Sequence, residues 1–249
     1  MGTIYIMWLR QLKRYFRSKS RIVGSLGQPI LFLLALGFGF GPIYQKAGEG
    51  NYLNFLVPGA IAMSVIFTAI FFGIELIWDK QFGFLKETLV APVSRFNIMF
   101  GRTLGGATVS TTQGLIVFAL SFFVGFRPFS ISYALLAVGV MFLISIIFAA
   151  LGTAIATGLQ DMQGFQLIMN FLVMPMFFLS GAIFPLKGLP RVIEIIVKAN
   201  PLSYGVDGLR ATLTGVSIFN LGIDLTVLCS VALFIIIIGS FLFARMEVE

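Results

Sequence analysis

Polar residues in this chain fall in short bands, and the apolar stretches between them are about as long as a bilayer is thick. Stretches at 22–42, 55–78, 103–126, 131–158, 165–184 and 218–243 are dominated by Phe, Leu, Ile, Val and Gly. At ~1.5 Å of rise per residue, each is long enough for a hydrocarbon core of ~30 Å. None alternates with period two, so the pattern predicts helices rather than barrel strands. The fold class expected is an all-α integral membrane protein of six transmembrane helices, one domain over residues 1–249. An amphipathic interfacial helix precedes the first span, and short external re-entrant helices precede the last.

Three polar bands carry their own structure. On a helical wheel of residues 1–21, Ile4, Tyr5, Trp8, Leu9, Leu12, Tyr15 and Phe16 share one face. Arg10, Lys13, Arg14 and Arg17 lie on the other, the pattern of a helix in the headgroup layer with its basic face towards anionic lipid. The run after it is too long for a signal peptide and lacks a small-residue cleavage site. The band at 79–102 exceeds what a connector needs. Over 82–90 it predicts a short amphipathic helix, Phe82, Leu85 and Leu89 on one side and Lys86 and Glu87 elsewhere, ended by Pro92. The band at 185–215 opens PLKGLP, continues as RVIEIIVKA, breaks at Asn200-Pro201 and resumes as a second short helix. Val192, Ile193, Ile196 and Val197 are too apolar for water, so this element is predicted to dip into the outer leaflet or cap the spans. Asp207 and Arg210, three residues apart, are candidates for an orienting pair.

Composition agrees with a lipid solvent: of 249 residues, 58% are hydrophobic and 11% charged, against about 25% charged in soluble domains. That excludes a soluble enzyme and a disulfide scaffold. There is no His, and the single Cys229 lies in an apolar run. Zinc, haem, thiol-redox and Ser-His chemistry therefore have no residues to work with, and no catalytic, cofactor or metal site is expected. The net charge of +7 is scattered between spans, which fits cytoplasmic loops better than nucleic acid. Eleven of the 17 Lys and Arg fall inside if the N-terminus is cytoplasmic. Six spans then place both termini in the cytoplasm, in a plasma-membrane protein. Glu75 and Asp224 lie near span ends and are expected to reach the interface, which leaves no mid-membrane acid for a proton-coupled carrier. Gly37/Gly41, Gly101/Gly105 and Gly152/Ala156 carry the small-residue spacing for close helix packing. Pro175 is expected to bend its span.

FLKETLVAPVSR at 84–95 and NPLSYGVDGLR at 200–210 resemble the signatures of type-2 ABC exporter permeases, more narrowly the drug-resistance (daunorubicin-type) branch. The resemblance covers essentially the whole chain. One departure is that Lys86 stands where the commoner form carries an acid, which here is Glu87. The resemblance implies the membrane half of an ATP-driven exporter of a hydrophobic or amphipathic solute, drug-like or lipid-like. It would work as a homodimer docked on separate ATP-binding subunits. Phe82, Gly83, Leu85, Lys86, Glu87, Leu89, Pro92 and Arg95 would form the coupling helix seated on the ATPase, and Asp161, in the loop Leu159–Gln163, a second contact. Trp8, Arg10, Lys13, Arg14 and Arg17 would belong to the interfacial helix. Asn200, Pro201, Tyr204, Asp207 and Arg210 would close the outer exit. The chain has no G-x-x-x-x-G-K-[ST] loop, so ATP and Mg would sit on the partner. Two alternatives remain: export of a lipid-linked polysaccharide, and a membrane scaffold or enzyme that transports nothing.

Overall fold

The computed structural model describes residues 2–46, 51–186, 188 and 190–246. Every regular element among them is a helix: α1 (Gly2–Arg17), α2 (Lys19–Lys46), α3 (Tyr52–Gln81), α4 (Phe84–Val90), α5 (Arg95–Ser121), α6 (Ile131–Thr157), α7 (Met162–Phe178), α8 (Arg191–Ala199), α9 (Pro201–Thr214) and α10 (Leu221–Ala244). Lys187, in the PLKGLP stretch, lies outside the described residues.

Five of these helices, α2, α3, α5, α6 and α10, are long and apolar enough to cross a membrane. The stretch expected as a fifth span, 165–184, is different. Its helix α7 has 17 residues and ends at Phe178, a rise of ~25 Å. The chain then continues without regular structure beside the first turns of α3. Tyr52 donates its hydroxyl to the carbonyl of Ile183 at 3.3 Å, and Ala182 lies against Gly59. A Cβ on Gly59 would come within 2.1 Å of the Ala182 carbonyl oxygen, so only glycine allows that approach. Span ends also shift from expectation. α5 starts at Arg95 rather than 103, because Ser94 caps it by accepting the Asn97 amide at 3.2 Å.

α3 is the hub, with most of its length buried against its neighbours. It meets α6 where Gly73 faces Gly152: a Cβ on Gly73 would lie 2.4 Å from the Gly152 carbonyl oxygen, and one on Gly152 would lie 2.3 Å from that of Ile70. Small residues at the crossing thus bring two backbones into contact, where van der Waals packing is the main attraction available in lipid. The Gly101/Gly105 pair serves α1 in the same way, taking Ile4 and Met7 at one glycine and Gln11 at the other. α2 is the loosely held member, burying only Pro29 and Leu33. α2 and α5 run antiparallel to α3, α6 and α10, so the molecule has two ends. One carries α1 and α4; the other carries α8 and α9.

Candidate functional site

At the α4 end, α3 presents Glu75 and Asp79 one turn apart, both buried. Arginines from three helices converge on them. Arg102 of α5, 2% exposed, meets Asp79 at 2.5 Å. Arg10 of α1 reaches the other Asp79 oxygen at 3.1 Å. Arg14 lies 3.7 Å from Glu75 and 3.6 Å from Asp79, and Arg21 at the start of α2 pairs with Glu75. Two carboxylates therefore join α1, α2, α3 and α5. Buried carboxylates with several guanidinium partners hold a fixed arrangement, since removing either sign strands the other in a low dielectric.

This cluster corrects two expectations. Glu75 does not reach the interface; it is enclosed by arginines. The basic face of α1 does not simply face lipid either, because Arg10 and Arg14 point inward to those acids. The packed stripe of α1 is Met7, Gln11 and Tyr15, while Tyr5, Ile6 and Phe16 stay exposed. The glycine groove on α5 sets this rotation, and Trp8 fixes it by donating to the Thr108 hydroxyl at 3.0 Å. Tyr15, joined to Gln113, has its phenol pKa raised by burial. Lys13 and Arg17 face outward.

The turn from α3 into α4 follows directly. Phe82 caps α3, and Gly83 takes the left-handed conformation at φ 78°, which reverses the chain into α4. Leu85 is buried and Leu89 half-buried, as the amphipathic pattern predicts. Phe82 departs from it: the Gly83 turn separates it from the helix face, and it is 68% exposed. Phe84 and Val90 are exposed too, Val90 at 85%. Lys86 and Glu87 point to solvent. Ala91 is extended before Pro92, the conformation a following proline imposes.

The flanks of α4 are tied to the ends of other long helices. Lys80 donates to the carbonyls of Ala156, Thr157 and Leu159 at 2.9, 2.7 and 3.1 Å, closing the C-terminus of α6 with a cation where carbonyls lack partners. Gln81 donates to the Gln160 carbonyl at 2.9 Å. Asp161 caps α7 by accepting the Gly164 amide. Arg95 donates to the carbonyls of Ala244 and Met246, both at 2.8 Å, and so holds the C-terminus of α10. Between α4 and that terminus opens a cleft of about 670 Å³ lined by Lys86, Leu89, Val90, Arg95 and Arg245. Displacing α4 would therefore pull on α3, α6 and α10 together.

The other end uses its polar residues on backbone. Asn200 caps α9 by accepting the Leu202 amide at 3.0 Å, with Pro201 at the first helical position. Its amide nitrogen donates to the Met176 carbonyl at 2.7 Å. Ser203 reaches the Leu179 carbonyl at 3.4 Å, and Arg210 the Gly181 carbonyl at 2.8 Å. With Tyr52, these side chains satisfy carbonyls that the end of α7 leaves without helical partners. Arg210 also stacks over Phe55, 4.2 Å from the ring centroid. α9 is thus built into the bundle, with Leu202, Val206, Leu209 and Leu213 fully buried. α8 is its opposite: Val192, Ile195 and Ile196 are exposed and only Val197 is buried. Tyr204 joins the two, donating to the Lys198 carbonyl at 2.9 Å and packing on Phe219.

The expected Asp207–Arg210 pair does not form. Asp207 instead accepts from the Ser217 hydroxyl and the amides of Ile218 and Phe219 at 2.8–3.0 Å, closing the turn into α10. Those amides have no helical acceptor, and each residue serves a different non-helical segment. Asp224 also departs from expectation. It is wholly buried beside Gly208, and neither carboxylate oxygen has a hydrogen-bond partner among the described residues.

The arginine–carboxylate cluster was missed from the sequence, although it left a trace. Glu75/Asp79 and Arg10/Arg14 are both spaced by four, which places each pair on one helix face. Arg102 carries no such signal.

Comparison with known proteins agrees with this architecture. The ABC-2 type transporter family model matches residues 3–214. The transport permease ycf38 of Cyanophora paradoxa is 29% identical over 218 residues, covering 83% of this chain and 72% of that protein. Nodulation protein J of Rhizobium leguminosarum bv. viciae is 28% identical over 211 residues, covering 84% of this chain and 80% of that protein. The inner membrane transport permease YadH of Escherichia coli K12 is 26% identical over 221 residues, covering 85% and 82%. A match running from α1 through α9, with transport permeases alike over most of their length, establishes that this chain belongs to the ABC-2 type transporter membrane family.

Proposed function

We propose that this chain is the permease subunit of an ATP-driven exporter, and that α4 is the element a separate ATP-binding subunit grips. The observation that carries this reading is the contrast within α4: Phe84 and Val90 are exposed, while its flanks are fastened by Lys80 and Arg95 to the ends of α6 and α10. An apolar tip on a fastened root suits an element that is pushed. The neighbouring cleft offers Lys86, Arg95 and Arg245 to an acidic rim on the partner. ATP and Mg are held by that partner, whose nucleotide states bias the bundle only by binding its arrangements with different affinity.

In this reading α7 and the segment 179–184 together make the fifth crossing and α10 the sixth, with 179–184 shielded by α9 and α3. Both termini then lie in the cytoplasm of a plasma-membrane protein. The weakly packed faces of α2 and α7 meet a second copy of the chain. The solute is hydrophobic or amphipathic, which is supported by a cavity of about 220 Å³ beside α2 that places Met63, Phe67 and Phe71 next to Ser64, Thr68 and Gln28.

The test is co-expression with the ATP-binding subunit, expected from a neighbouring reading frame. Val90→Asp should abolish co-purification and solute-stimulated ATP hydrolysis in proteoliposomes, whereas Val192→Asp on α8 should leave both intact. Full coupling in the Val90→Asp complex would remove α4 from this role.

A further inference from the structure

The cavity between α2 and α3, about 220 Å³, has an apolar side and a polar side, and the polar side carries charge of one sign only. The two helices run antiparallel along it. On α3, Met63, Phe67 and Phe71 follow one another at a spacing of four, and Ser64 and Thr68 lie beside them one turn apart. On α2, Arg21, Ser25 and Gln28 recur at four and three and complete the polar side. Arg21 stands at the α4 end, where α2 begins. Gln28 lies seven residues further towards the other end, a distance of ~10 Å. The cavity is therefore entered beside a cation and becomes more apolar with depth.

Two polar groups in the lining are unspent. Ser64 is only 3% exposed, and its hydroxyl has no hydrogen-bond partner among the described residues. A dry, unpaired hydroxyl is costly, so a ligand that supplies a partner is favoured there. Arg21 gives Nη1 to Glu75 and packs over Phe72, 5.7 Å from the ring centroid. Its Nε and Nη2, the side edge of the guanidinium, have no partner among the described residues. That edge matches the two oxygens of a carboxylate. No acid lines the cavity. Glu75 is shared with Arg14, and the cluster behind it sets four arginines against two carboxylates. The α4 end of the cavity thus keeps a positive field. A cationic amphipath would meet Arg21 with no free anion, and a neutral one would leave the guanidinium edge unused. An anionic amphipath satisfies both, with its acid at the water-facing end and its tail running into the membrane, as an amphipath of the inner leaflet lies.

We propose that this cavity takes a carboxylate-bearing amphipath as its solute. The Nε–Nη2 edge of Arg21 binds the carboxylate, Phe71, Phe67 and Met63 cover the tail, and Ser64 pairs with a polar group partway along it. The proposal rests on reading this cavity as the solute's place, and not on what α4 grips. Gly24 also lines the cavity, and a Cβ there would meet nothing within 4 Å. A larger side chain at Gly24 therefore grows into the open space the solute would fill.

The test is binding of radiolabelled laurate to the full-length protein in phosphatidylcholine nanodiscs, read by scintillation proximity without the ATP-binding subunit. Unlabelled laurate should displace the label at a concentration roughly ten-fold lower than methyl laurate or dodecyltrimethylammonium. Arg21→Gln should erase that preference. Gly24→Leu should abolish specific binding while the unfolding temperature stays unchanged, which covers the case in which Arg21→Gln folds poorly. A laurate hydroxylated at mid-chain should displace the label better than laurate itself, an advantage that Ser64→Ala removes. Equal displacement by acid, ester and ammonium, stronger displacement by the ammonium, or a preference for the acid that survives Gly24→Leu overturns the proposal. Displacement by millimolar acetate or inorganic phosphate assigns the cavity to a free anion instead, and tighter binding of dodecyl phosphate than of laurate assigns it to a phosphate headgroup. Because the ATP-binding subunit is absent, failure here speaks against the solute, whereas full coupling in the Val90→Asp complex speaks against α4.

Discussion

The most deeply buried charged side chains at the two ends of the bundle are satisfied in different ways. At the α4 end, charge meets charge: Glu75 and Asp79 are enclosed by Arg10, Arg14, Arg21 and Arg102. At the α9 end, charge meets backbone: Arg210 takes the Gly181 carbonyl, Asn200 that of Met176, and Asp207 the amides of Ile218 and Phe219. The difference follows from what each end lacks. Complete helices meet at the first, so their side chains must neutralise one another. At the second a helix stops early, and its open carbonyls need donors wherever water is excluded. The first arrangement is a junction of four helices, and the second caps irregular backbone.

The comparison breaks most severely at the junction. Asp79→Ala should destabilise the protein by about 3–5 kcal/mol, because it leaves Arg102 buried without an anion. Adding Arg102→Met should recover most of that loss, measured as thermal unfolding in detergent. If the double variant is no better than the single, the pair is not the source of the cost.

Next in size is the α3–α6 crossing, which both ends depend on. Gly73→Ala should cost about 1–3 kcal/mol through overpacking against the Gly152 backbone, whereas Gly139→Ala, with nothing within 4 Å of its Cβ, should leave the unfolding temperature unchanged. At the α9 end, Arg210→Met should cost about 1–3 kcal/mol by stranding the Gly181 carbonyl, and should expose the segment 179–184 to hydrogen exchange. An increase confined to α9 would show that Arg210 does not seal that segment. The smallest effect belongs to α8, where Val192→Ala should change stability by less than about 0.5 kcal/mol, since Val192 packs on little.

Hydropathy made the long helices legible, because length and apolarity alone place a segment in lipid. Local chemistry made α4 legible as well: Gly83, Leu85, Leu89 and Pro92 turn, anchor and end it within one short window. The end of α7 is not legible in the sequence, because 165–184 reads as continuously apolar and nothing in it marks Phe178 as the last helical residue. The stop is decided by partners far along the chain, Gly59 and Tyr52 on α3 and Asn200, Ser203 and Arg210 beyond it. The face of α1 was misjudged for a similar reason. A helical wheel ranks faces by polarity, and Gln11 sits on the packed side because Gly105 leaves room for it.

By itself, then, the sequence determined the solvent, the number and rough extent of the apolar stretches, the family signature and the isolated α4 segment. These depend on composition and on neighbours a few residues apart. Only the tertiary structure decided which carboxylates are enclosed, which carbonyls Lys80, Arg95 and Arg210 satisfy, and why Asp207 and Arg210 do not pair. Each is a choice among partners distant along the chain. In a dry interior that choice is governed by which buried group would otherwise be left without one.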